Sequence, residues 1–192
     1  MSETANKVEF GLKNVHYAVI TDTGTEVTYG TPVRIKGAVS MTAAPNGTVE
    51  EFEADDMVFY RSQGSNGYDL DFTFALLPDS FYQEVLGETV DMSNVRFEND
   101  ADVVKNIAIL GEINGDAHKR PFLFYNVTPQ RPAFDAQTSR TRSPKTVSIK
   151  AAAVPHPYTG HIKAVATAST PQSLISGWYT EVYTKNVGSE TV

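Results

Sequence analysis

The 192-residue chain has no cysteine, which removes disulfides, thiolate zinc sites, iron–sulfur clusters and cysteine nucleophiles in one step. It also lacks any apolar run of about 18 residues, so no membrane-spanning helix is expected. The first residues, MSETANKVEF, have no basic stretch followed by an apolar core, and without the mark of a signal peptide the chain is expected to stay in the cytoplasm that makes it or to leave only by lysis. Asn-Gly-Thr at 46–48 and Asn-Val-Thr at 126–128 are then read as chance matches to the glycosylation pattern.

Catalytic signatures are equally scarce. No Gly-x-Ser-x-Gly elbow accompanies His16 or His118, and no Gly-Lys-Ser/Thr follows Gly111 and Gly115 to make a phosphate loop. His156 and His161 are set among Pro155, Pro157 and Gly160, which argue against the helix a paired metal site would use. Asp69 and Asp71 point the same way on a strand, as glycosidase carboxylates would, but alternation explains them as a solvent face. Glu50, Glu51, Glu53, Asp55 and Asp56 lack the order of a calcium loop. No enzyme, cofactor or metal is expected.

Strand signals fill most of the sequence. Tyr68, Leu70, Phe72 and Phe74 alternate with Asp69, Asp71 and Thr73 in the cleanest period-2 run. Val8, Phe10 and Leu12 alternate in one phase and Val15, Tyr17 and Val19 in the other, which predicts a register slip near Lys13-Asn14. A second run, Val33 to Met41, is broken by Gly37-Ala38, the signature of a bulge. Further strands are predicted at 48–54, 106–113, 121–127, 145–153, 161–167 and 178–183. One helix is predicted after Pro78, with Asp79 or Ser80 as cap, Gln83 completing a capping box and Gly87 as stop. Its apolar stripe is Phe81, Tyr82, Val85 and Leu86. A shorter helix, with Pro171 at its first position, is predicted to run to Ser176. The sum is one domain over 1–192, mainly β with a flanking helix, two packed antiparallel sheets in a sandwich or barrel. Segments 1–7, 128–145 and 184–192 read as mobile when the chain is alone, and 43–67 as a long acidic loop carrying the apolar-aromatic run Met57-Val58-Phe59-Tyr60. That run is either buried by a neighbour or folded back as a strand of the same sheet.

Charge is divided along the chain. Residues 48–102 hold 14 acids against Arg61 and Arg96, net −12, whereas 118–163 holds eight bases against Asp135, net +7. Two such halves either meet between copies, where complementary fields steer association and set register, or neutralise each other within one fold.

The run Ala54-Asp55-Asp56, Tyr60, Asn66-Gly67-Tyr68, Leu77-Pro78-Asp79 and Leu86-Gly87-Glu88 resembles the major tail (tail tube) proteins of long-tailed, non-contractile bacteriophages, with Asp56 in place of the family's usual Asn. The likeness continues through Phe97-Glu98, 107–113, Arg120-Pro121-Phe122, Tyr125-Asn126 and 155–164, covering residues 8 to 183. The resemblance implies a structural virion protein whose copies form hexameric rings that stack into a hollow tube for viral DNA. The tube would be assembled in the host cytoplasm with tape-measure, tail-tip and tail-terminator proteins. It also implies that the 43–67 loop reaches the adjacent ring, making Glu50, Glu51, Glu53, Asp55, Asp56, Met57, Phe59 and Tyr60 inter-ring candidates. Arg131, Arg140, Arg142 and Lys145 are candidates for the complementary basic surface. Asp69 and Asp71 are candidates for a lumen lining that repels phosphate and so passes DNA without holding it. The alternative is a β-sandwich adhesion or carbohydrate-binding module using Tyr60, Tyr68, Trp178 and Tyr179 to stack on sugars.

Overall fold

A computed structural model describes residues 11–47, 49–54, 57–64, 66–113, 120–136 and 145–185. In chain order the strands are β1 (Leu12–Asp22), β2 (Val27–Tyr29), β3 (Val33–Arg34), β4 (Ala38–Pro45), β5 (Val49–Ala54), β6 (Met57–Gln63) and β7 (Tyr68–Phe74), followed by helix α1 (Asp79–Glu84). Then come β8 (Thr89–Val90), β9 (Arg96–Phe97), β10 (Ile107–Ile113), β11 (Pro121–Pro129), β12 (Val147–Ala153), β13 (Lys163–Val165) and helix α2 (Gln172–Gly177).

The main sheet is antiparallel and nine-stranded, in the order β2-β1-β10-β11-β12-β7-β4, with β3 added to β1 and β13 to β11. It curls so that β4 approaches β1. Val15 and Tyr17 of β1 and Ile107 and Ile109 of β10 therefore share one core with Leu70, Phe72 and Phe74 of β7. Helix α1 covers this core with Phe81, and Val85 and Leu86 just beyond it are also buried, the stripe its spacing predicts. The helix ends before the predicted stop, at Glu84 with Val85 as its C-cap, and Gly87 follows at φ 82°, where Glu88 N–H reaches back to the Tyr82 carbonyl at 3.1 Å. The capping box does not form. Pro78 is the N-cap, without a side-chain bond, and Ser80 sits inside the first turn. There its Oγ and a Glu84 carboxylate oxygen both lie 3.0 Å from the Tyr17 hydroxyl, tying α1 to β1. Burial pushes the Tyr17 phenol up to about 12.

A second core lies on the opposite face of β1, β10 and β11. Ala18, Ala108, Leu110, Leu123 and Tyr125 are covered there by Ala166, Trp178 and Val182. Burial on both faces explains why five consecutive residues from Ile107 are buried and why this strand shows no alternation. Residues 178–183, predicted as a strand, are instead irregular chain lying across the sheet. Their aromatics are held by packing, Trp178 stacking on Tyr183 at 5.4 Å between ring centroids. The predicted slip in β1 is present, with Asn14 at φ 52° and a register shift between Lys13 and His16. The predicted break at Gly37 is present too: φ is 82° and the pairing shifts between Ala38 and Ser40, which splits the run 33–41 into β3 and β4. Pro171 caps α2 from outside, so that helix begins one residue later than predicted.

Candidate assembly interface

The long acidic segment is a hairpin. β5 and β6 pair with each other and with no other strand among the described residues, so they leave the main sheet as an arm between β4 and β7. Its root is closed by Asn46 N–H to the Gly67 carbonyl at 2.9 Å and Asn66 N–H to the Asn46 carbonyl at 2.7 Å. The Asn46 amide also donates to both Asp69 carboxylate oxygens, at 3.1 and 3.2 Å. The tetrad 57–60 is thus a strand, but of the arm and not of the main sheet. Met57 and Tyr60 are 64% and 63% exposed, a cost in apolar hydration that a partner surface would relieve. Glu50, Glu51 and Glu53 run along β5 and Phe59 along β6; Asp55, Asp56, Arg140 and Arg142 lie outside the described residues.

Asp69 and Asp71 are exposed on β7, on the face turned away from Leu70 and Phe72. Register places Asp71 between Lys150 of β12 and Thr42 of β4, and Asp69 between Ala152 and Ala44. The side chains on this face are mostly small or polar. Lys150 belongs to it, opposite Asp71 in register, a residue that sequence reading missed because β12 meets β7 only through the fold.

The basic candidates separate. Arg131 is engaged within the chain, 2.6 Å from Glu98 and 3.3 Å from the carbonyls of Asn99 and Asp102, so one of the cross-half charge pairs is intramolecular. Lys145 lies 5.4 Å over the Phe134 ring. A second internal pair is more enclosed: Arg96 contacts Glu88 at 2.6 Å and Asp79 at 2.8 Å and stacks 3.6 Å over Tyr82. Burial still pushes the Glu88 carboxyl up, with Arg96 opposing it. The aromatics of the sugar-binding alternative do not form one platform. Trp178 is 3% exposed, Tyr60 is on the arm, and Tyr179 stacks on His16 at 4.6 Å.

Two cavities flank the sheet. A groove of about 610 Å³ opens between β4 and the strands β1, β10, β11 and β13. A second, of about 440 Å³, lies between the β1–β2 hairpin and the turn 155–161. His156 builds that turn: its Nδ1 accepts from the N–H groups of Tyr158 and Thr159, both at 3.2 Å, while the Tyr158 hydroxyl donates to Asp22 at 2.9 Å. Burial first, then His161, holds the His156 pKa below its ordinary value. The folded chain therefore prefers the neutral ring. Its contribution to stability is present above about pH 6.5 and is lost as pH falls from there through the lower folded pKa. Chemical denaturation across pH 7.5 to 5.5 is expected to show this loss, and His156→Asn, which keeps an acceptor in place, to flatten it. Among the described residues no three His, Asp or Glu side chains converge as metal ligands.

Comparison with solved structures finds the same curled antiparallel sheet fold elsewhere. A chain of the anti-feeding prophage cap (AFP tube terminating cap) matches with a TM-score of 0.53 at 9% identity, over 86% of this chain and 96% of that one. A chain of the PVC sheath/tube terminator, from an extracellular contractile injection system in the extended state, matches at 0.49 and 9% identity, over 85% and 100%. At such identities the likeness is one of fold alone. No family model and no curated protein matches the chain in sequence.

Proposed function

We propose that this chain is the tube-forming subunit of a non-contractile phage-type tail, its copies joining in rings that stack into a conduit for DNA. The observation that carries the reading is the arm. A two-stranded hairpin outside the main sheet, with a hydrogen-bonded root, holds out Met57 and Tyr60 as apolar surface that a neighbouring copy would bury. The tail-tube motif run spans both ends of that arm, from Ala54 to Tyr68. In this reading the arm reaches the adjacent ring and the Asp69–Asp71 face of β7 looks into the lumen. Six-fold rings and the tape-measure, tip and terminator partners rest on the family resemblance.

A terminating cap is the second reading, favoured by the shared fold of the anti-feeding prophage cap chain. Negative-stain electron microscopy over a concentration series, with sizing of the same samples, separates the two. Stacked hollow tubes are the expected result. Single rings that never stack would transfer the assignment to a cap, and monomers at every concentration would remove the tube reading.

A further inference from the structure

We propose that the turn between β8 and β9 is a plug that docks into the β4–β13 groove of a second copy, giving a head-to-tail contact between subunits. The inference rests on the tube reading and specifies which surfaces of each copy meet.

The plug is built to hold apolar side chains in water. Asp91 Oδ1 accepts from the N–H groups of Ser93 and Val95, both at 2.8 Å, and Asp91 N–H donates to the Val95 carbonyl at 3.0 Å. Asn94 takes the left-handed conformation at φ 60°. Below the turn, Arg96 binds Glu88 and Asp79 and anchors the hairpin to α1. A turn fixed by this many bonds nonetheless exposes Met92 completely, with Val95 and Phe97 about half exposed. A rigid, preformed apolar tip loses little entropy on docking, and a cluster of exposed apolar side chains marks an interaction surface.

The groove offers the complement. Val39 and Met41 of β4 face Phe122 of β11 and Val165 of β13 across it. It opens there because β12 pairs only with the end of β11 at 127–129, while β13 takes the other end at 122–124. Among the described residues its charged lining residues, Arg120 and Lys163, are both basic, whereas 88–102 carries Asp91, Asp100 and Asp102 beyond the internally paired Glu88 and Glu98. Complementary charge around matched apolar surfaces fixes orientation and register.

Position makes the contact intermolecular. The plug precedes Ile107, at one end of β10, and the groove borders Ile113, at the other. Met92 is fully exposed and so lies outside its own groove, which leaves the plug to fill the groove of another copy. Such a heterologous contact propagates, closing into a ring when the rotation per step permits.

The absence of native cysteine allows a direct test. The double variant Met92→Cys with Val165→Cys, oxidised at assembling concentrations, is expected to give a covalent ladder of trimers and larger species, with neither single variant passing dimer. Both positions are exposed, so folding should be unaffected, which circular dichroism checks. Met92→Asp and Val165→Asp should each weaken association on the order of tenfold or more by placing charge in an apolar contact. Mixed, the two variants should form 1:1 dimers and nothing larger in sedimentation velocity. Tubes in the wild type without a ladder in the double variant would overturn the plug and leave the tube reading intact. Neither tubes nor ladder would overturn both. A ladder that appears only after residues 1–10 are removed would show the chain's own N-terminal segment in the groove, and would likewise overturn the proposal.

Discussion

Removal of residues 48–64, joining Gly47 to Ser65, is expected to leave a folded monomer that no longer polymerises. The body should survive because the arm contributes no strand to the main sheet and its root is already closed. Pro45 faces Tyr68 in register, and the Asn46 and Gly67 backbones are bonded at 2.9 Å. The shortened connection becomes a hairpin loop of a few residues rich in Gly, Ser and Asn, a length and composition that antiparallel strands accept. Thermal unfolding should therefore stay close to that of the intact chain, while tubes disappear from micrographs. Tubes of normal length from this deletion would show that the arm does not join rings, whatever else holds them together.

Gly67→Ala should be the most damaging small change near the same root. Gly67 sits at φ 101°, and a Cβ there would fall on the Ala153 carbonyl, with its carbon at 3.0 Å and the Val154 Cα at 3.3 Å. These are backbone atoms, so no side chain is free to turn away. A loss of about 2–4 kcal/mol is expected, which for a domain of this size lowers the unfolding midpoint by roughly 5–15 °C. Gly24→Ala is the control. Its φ of 84° imposes similar backbone strain, but nothing lies within 4 Å of the added carbon, so it should cost only about 1 kcal/mol. Equal melting losses in the two variants would mean that conformational strain alone, without the collision at Ala153, sets the price at Gly67.

Much of the scaffold was legible because it is governed by local periodicity. The alternation of Tyr68 to Phe74, the stripe from Phe81 to Leu86, the slip at Asn14 and the break at Gly37 are each decided within a few residues of chain. Three other features depend on distant partners. The β8–β9 hairpin has strands of two residues each, too short to carry a period, and is held by Arg96 on α1. Residues 178–183 suggested a strand through their aromatic content, yet they serve as a lid whose side chains answer to the far face of β10. Ser80 reads as a helix cap in sequence, and Tyr17 claims it in space. The assembly candidates divide the same way. The outward face of Asp69 and Asp71 follows from alternation alone, whereas Lys150 beside Asp71, and Arg131 bound to Glu98, depend on pairings between segments far apart in the sequence.

The covering of β10 and β11 by residues 164–183 also orders events at the ribosome. Leu110 and Leu123 are fully buried only when Trp178 and Val182 lie over them, and those residues are synthesised 55 to 72 positions later. Until they emerge, the nascent chain carries an apolar sheet face open to water, the kind of surface on which chaperones and premature partners settle. Completion of the domain is therefore tied to translation of its closing segment, and a chain halted before Trp178 would be prone to aggregate.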